Sequence, residues 1–201
     1  MDTGVTAFIT LIVIMDPLGN VPVFLTISQG VEHAERARIA AQGVLVALAV
    51  IATFALAGGQ ILDYLGVSLP SLSVAGGLLL VLVALELLRG DYDVPRVGGS
   101  SQIALVPLAT PLLAGPGAIA ATMVLMEQAD TSGEVALTWT GILAAFGVVW
   151  IVLRLAAPIG RLLPEGVIRL FSRVMGVLLA AIAVELILNG IHDWIEAHPG
   201  L

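Results

Sequence analysis

From residue 39 to residue 56 the chain passes through apolar side chains and glycine with only Gln42 and Thr53 to interrupt them. A run of this length crosses the hydrocarbon of a bilayer as one α-helix, because about twenty residues rising 1.5 Å each cover about 30 Å. Five further runs of similar length occupy residues 3–28, 69–88, 103–126, 135–156 and 167–191. Over the whole chain 59% of residues are hydrophobic and 11% charged, against about 25% charged in an ordinary soluble domain. A single soluble core does not hide that much apolar surface. A transmembrane β-barrel is excluded as well, since its strands alternate apolar and polar residues over about ten positions and these runs do not alternate.

Arginine placement orients the six crossings. The chain has eight basic residues, all arginine: Arg36, Arg38, Arg89, Arg96, Arg154, Arg161, Arg169 and Arg173. Every one falls on or beside the first, third or fifth connection, and none falls on the other side. The positive-inside rule makes the arginine side cytoplasmic and both termini external, in a multi-pass protein of the cell membrane. No Arg or Lys precedes the first apolar run and no small-residue cleavage site follows it, so that run reads as a retained span. Cysteine is absent, which removes disulfides, thiol catalysis and thiolate metal sites.

Shifting the chain by 99 residues brings Pro17 onto Pro116, Gly77 onto Gly176 and Glu86 onto Glu185. Around the glutamates, GLLLVLVALELL (77–88) lies over GVLLAAIAVELI (176–187). Three crossings per half is an odd number, so the second half must be inverted relative to the first. The expected fold is all-α: six transmembrane helices as two inverted three-helix repeats, with helices 1 and 4 broken. Residues 1–90 form the first repeat, 91–101 a cytoplasmic linker and 102–201 the second repeat. Inverted repeats of this kind are typical of secondary transporters, whose substrate sites lie near the midplane where the halves meet.

The breaks carry the chemistry. Asp16-Pro17-Leu18-Gly19-Asn20-Val21-Pro22 interrupts the first span, and Pro111-Leu112-Leu113-Ala114-Gly115-Pro116-Gly117 interrupts the fourth. Pro17, Pro22, Pro111 and Pro116 each lack an amide hydrogen and break the helical ladder, while Gly19, Gly115 and Gly117 permit unusual backbone angles or close approach. A break frees backbone polar groups at membrane depth, where only protein, water or ligand can satisfy them. A half-helix starting near Gly19 or Gly117 also offers amides and a positive dipole end to an anionic group. The competing reading is a pair of proline kinks that only shape packing. Asp16 is the one carboxylate near the bilayer centre. It is a candidate for binding a substrate ammonium or a coupling proton, or for capping the half-helix that follows. Asn20 supplies a donor and an acceptor beside it.

Glu86 and Glu185 are candidates for proton or ion coupling, with a salt bridge from Glu86 to Arg89 or snorkelling as the structural alternative. Gly76, Gly77 and Gly176 permit close helix contacts. Thr110 and Thr122 can hydrogen-bond a ligand or bond back to their own helices. No hydrolase motif, metal-binding cluster, phosphate-binding loop or basic nucleic-acid patch occurs. The expectation is therefore a non-enzyme with no cofactor, no metal and no nucleic-acid partner.

With DPLGNVPVF (16–24), PLLAGPGAIAATM (111–123) and RVMGVLLAAIAVELILNGI (173–191) in view, the chain resembles the MarC family over essentially its whole length. Members are six-span bacterial and archaeal membrane proteins, some described as transporters of small neutral amino acids. The resemblance thus implies a secondary transporter for substrates such as glycine or alanine, possible coupling ions being a proton or Na+. On that reading the breaks face each other, free amides at Gly19, Asn20, Gly117 and Ala118 hold the substrate carboxylate, and Asp16 receives the ammonium. An ion channel, an exporter of small metabolites and a non-transporting membrane scaffold are the alternatives.

Overall fold

The computed structural model describes residues 3–28, 30–89 and 113–198, and within them every regular element is a helix. The chain order is α1 (Thr3–Met15), α2 (Asn20–Ile27), α3 (His33–Leu65), α4 (Leu69–Arg89), α5 (Pro116–Glu127), α6 (Ser132–Arg154), α7 (Ala156–Leu162) and α8 (Glu165–Ala197). The linker at 91–101, the first part of the expected fourth span, Thr110 and Pro111 lie outside the described residues.

Local chemistry explains the ends. At the start of α6, Thr131 Oγ1 accepts from the Glu134 amide at 3.2 Å while Glu134 Oε2 accepts from the Thr131 amide at 3.0 Å, a reciprocal capping box. At the end of α3, Gly66 takes φ +66°, and the Gly66 and Val67 amides close back onto Asp63 O and Leu62 O. That left-handed cap is one glycine accepts without a Cβ clash. Pro158, inside the first turn of α7, has no amide to continue the ladder of α6, and the chain steps at Leu155 between them.

Four helices, α3, α4, α6 and α8, are long and apolar enough to cross a membrane, and α1 with α2 passes the same test only as a pair bent by 48°, the form of a broken span or a re-entrant loop. The expected break in the first span is therefore present. α5 is apolar but too short to cross alone. Two expected boundaries are corrected. Residues 58–65, read as part of a connection, remain helical in α3, and residues 157–162, read as part of a connection, belong to α7. A helix satisfies its own backbone hydrogen bonds, so its turns need not stop where the hydrocarbon does. Gly58 stays in α3 because the Met123 side chain packs against its bare backbone.

The most extensive packing is α4 against α8. A Cβ at Gly77 would stand 2.6 Å from Ile187 Cγ1 and 2.7 Å from Ala183 O; one at Gly176 would stand 3.2 Å from both Ala84 O and Leu88 Cγ. Gly190 in turn backs onto Pro70 O and Ser73 Cβ. Residues early in α4 thus meet residues late in α8, so the two helices run antiparallel. The contacts are also reciprocal: shifting Gly77, Ala84 and Leu88 by 99 residues gives Gly176, Ala183 and Ile187. Reciprocity of this kind is the mark of a two-fold relation. Elsewhere α1 packs along α6, with Gly4 against Leu137 and Gly141, and further along Leu25 of α2 meets Gly160 of α7. The first broken span therefore runs parallel to α6–α7. α5 lies against α3 and α4, with Gly76 on Ala120 and Gly117 on Leu80. The core between these elements holds Leu11, Met15, Phe24, Ile51, Leu80, Ile142, Phe146 and Leu179, all fully buried.

Candidate functional site

The break between α1 and α2 is built by Asp16 and Pro17. The α-region is disfavoured for a residue preceding proline, and Asp16 leaves it with φ +35°, the one non-glycine residue with positive φ among the described residues. Aspartate tolerates this left-handed region better than most side chains. The ladder reaches the Asp16 amide, which bonds to Ile12 O at 3.0 Å, skips Pro17, and resumes where the Asn20 amide bonds to Asp16 O at 3.1 Å. Asn20 Nδ2 donates to Met15 O at 2.7 Å, satisfying a carbonyl beside the break. Both Asp16 and Asn20 are buried.

The carboxylate of Asp16 divides its work. Oδ1 accepts from the Gly19 amide at 3.2 Å, so one oxygen caps α2. Oδ2 is buried, and no group other than a neighbouring hydroxyl meets it. That hydroxyl is Ser172 Oγ, from α8, a residue only 2% exposed whose side chain is a hydrogen-bond donor to the carboxylate. Both atoms crowd the position that a side chain at 19 would fill: a Cβ there would overlap the Asp16 carboxylate and stand 2.6 Å from Ser172 Oγ. Gly19 is thus required by space, since its own φ of −63° suits any residue. A carboxylate and a hydroxyl buried together at a helix break, with no further partner among the described groups, are costly and uncommon.

Gly19 and Asn20 were expected to present free amides. They do not: the first is held by Asp16 Oδ1 and the second by Asp16 O. The second break differs. Gly115 is extended at φ −66°, ψ 163°, and Pro116 opens α5 at its first turn, the position proline suits. Ile119 N is the first amide bonded inward, to Gly115 O at 3.1 Å. The amides of Gly117 and Ala118 precede it, in the first turn where no intrahelical acceptor exists. Both residues are buried, Gly117 against Leu80. The register of 99 pairs Asp16 with Gly115, so the carboxylate occurs in one half only.

The remaining candidates are dispersed. Glu86 and Glu185 lie on exposed faces of α4 and α8, off the Gly77–Gly176 seam, with Glu185 Oε1 accepting from Asn189 Nδ2 at 3.4 Å. The structure does not bring them to Asp16. Pro22 sits within the first turns of α2. Thr122 is fully buried, and its hydroxyl bonds neither its own helix nor any other described group. Ser172 is the residue that reading the sequence missed. Its signal was present, because the same register lays Ser73 over Ser172. Ser73 is buried too, but its hydroxyl bonds back to Leu69 O at 3.0 Å.

Comparison with known proteins agrees with the membrane architecture. The profile described as MarC family integral membrane protein matches residues 1–195. A UPF0056 membrane protein of Methanocaldococcus jannaschii is 39% identical over 194 residues, covering 93% of this chain and 95% of that one. One from Archaeoglobus fulgidus is 36% identical over 198 residues, covering 93% and 91%. The UPF0056 inner membrane protein YhgN of Escherichia coli K12 is 32% identical over 204 residues, covering 98% and 100%. No solved structure matches. Matched from end to end and helical wherever it is described, the chain belongs to the MarC family of integral membrane proteins.

Proposed function

We propose that this protein is a secondary transporter of small neutral amino acids, built as two inverted three-helix halves of six spans, with both termini external and the arginine-bearing connections cytoplasmic. The observation that carries the reading is the buried Asp16 carboxylate paired with the Ser172 hydroxyl at the break between α1 and α2. A substrate ammonium satisfies both oxygens. The first-turn amides of Gly117 and Ala118, with the positive end of α5 behind them, suit the substrate carboxylate. A zwitterion so held needs one acidic and one amide-rich break, and Asp16 opposite its repeat partner Gly115 supplies that inequality. Asp16 is also the group through which a proton or Na+ would couple. Access alternates as one half rocks on the other about the α4–α8 seam, and no chemical step is catalysed.

The test is uptake of labelled glycine and alanine into proteoliposomes. Asp16→Asn, Ser172→Ala and Pro116→Ala are each expected to lower uptake about tenfold or more. Wild-type rates and affinities in Asp16→Asn and Pro116→Ala would sink the site assignment. Saturable counterflow separates transport from an uncoupled conductance.

A further inference from the structure

At the end of the molecule where α3 begins and α7 lies, an open cavity of about 540 Å3 is lined by His33, Arg36, Ala157, Pro158, Arg161 and Leu162. Among the described residues no carboxylate lines it. Arg36 is anchored by its guanidinium, which donates to Ser28 O at 3.1 Å and Val31 O at 3.4 Å, while its buried Nε has no partner. Arg161 and His33 are exposed and form no ion pair among the described residues. The other wall is apolar, Ala157, Pro158 and Leu162, with Leu162 81% exposed although it adjoins the end of the α6 span.

The register of 99 supplies a comparison inside the same chain. The counterparts of 157, 158, 161 and 162 are Gly58, Gly59, Leu62 and Asp63, and the last three line a second cavity of about 510 Å3 together with Met123, Met126 and Glu127. That cavity has two acids and no arginine. The repeat has therefore given the two ends of the protein equivalent hollows of opposite charge.

We infer that the Arg36–Arg161 hollow binds the headgroup of an anionic phospholipid. Three features select a lipid over a dissolved anion. The cationic groups line one side of an open groove at the membrane–water boundary, where basic pockets between spans hold lipid phosphates. Arg36, held in place by its backbone acceptors, and the exposed Arg161 line the groove with guanidinium groups, which suit a phosphate oxygen. The exposed Leu162 and Pro158 give the groove an apolar wall beside its cationic one, which matches the glycerol and acyl part of a lipid. The inference does not depend on the transport reading.

The experiment uses the full chain in detergent, titrated with dioleoylphosphatidylglycerol, dioleoylphosphatidylcholine and inorganic phosphate, with bound lipid counted by native mass spectrometry. Phosphatidylglycerol is expected to bind at one saturable site and phosphatidylcholine not to. Arg161→Gln should weaken that site about fivefold, the factor equivalent to about 1 kcal/mol for one basic residue near an anionic lipid surface. Arg38→Gln, on the same helix but outside the groove, should leave it unchanged. Equal weakening by Arg38→Gln would overturn the site in favour of general surface charge. Competition by inorganic phosphate at equal concentration would overturn the lipid assignment. Arg36→Gln serves as a second variant, read only where its melting temperature equals wild type, since Arg36 also ties the connection before α3.

Discussion

Replacing Gly19 by alanine adds one methyl group at the point where Asp16, Ser172 and the start of α2 meet. The backbone there, φ −63° and ψ −29°, is one alanine adopts freely. Taken alone, the change would stabilise the protein by about 0.4–1 kcal/mol through the unfolded chain. Space reverses the sign. The new Cβ overlaps the Asp16 carboxylate and lies 2.6 Å from Ser172 Oγ, inside a region where Asp16 is 4% exposed. Overpacking of this kind costs about 1–3 kcal/mol. Rotating the carboxylate away instead gives up the Gly19 N–H bond to Oδ1, a bond to a charged group worth about 1.5–3 kcal/mol. The net expectation is a loss of about 1–2 kcal/mol, and of most amino-acid uptake. Gly147→Ala is the control, because a Cβ there meets nothing within 4 Å and should hold or slightly raise stability. Melting in detergent followed by tryptophan fluorescence measures both, at about 2–4 °C per kcal/mol for a chain of this size. A Gly19→Ala protein that melts at or above wild type, with uptake intact, refutes the crowded site.

The α4–α8 seam makes an unequal prediction for its two related glycines. Gly77→Ala, pressed against Ala183 O at 2.7 Å, should cost about 1–3 kcal/mol, while Gly176→Ala, with nothing nearer than 3.1 Å, should cost under about 1 kcal/mol; the same melting assay reads both, and equal losses would deny the seam its geometry. Thr122→Val removes a buried hydroxyl with no partner and should stabilise by about 1 kcal/mol; a comparable fall in melting temperature would mean that hydroxyl is bonded. Thr131→Ala deletes the capping box of α6 and should cost about 0.5–2 kcal/mol, visible as faster amide exchange in residues 132–135.

Much of the architecture was legible because glycine and proline act locally and by rule. Pro17 announced a break, and a break with a 48° bend is there. Gly77 and Gly176, aligned by register alone, turned out to face each other's helices across one antiparallel seam. Helix ends were less legible, since hydropathy marks where lipid stops and not where hydrogen bonding stops; hence α3 runs on through Gly58, Gly59 and Gln60. The site was half legible. Asp16 stood out as an acid in apolar sequence, but which of its oxygens was spoken for depended on the Gly19 amide, a matter of backbone angles. Ser172 was hidden because serine is common in spans, and only its distance from a residue far away in the chain gives it meaning.

The second helix of each half deserves a mechanical reading. In the first half it is the single unbroken α3, 33 residues and about 50 Å long. In the second half the corresponding stretch is divided into α6 and α7 at Leu155. One half therefore carries a stiff strut joining the arginine-lined hollow at one face to the acidic hollow at the other, and its partner carries an elbow. Under a rocking motion the strut turns a small tilt at one face into an opposite displacement at the far face, while the elbow absorbs tilt locally. On the proposed rocking reading, α3 acts as a lever and the α6–α7 pair as a joint.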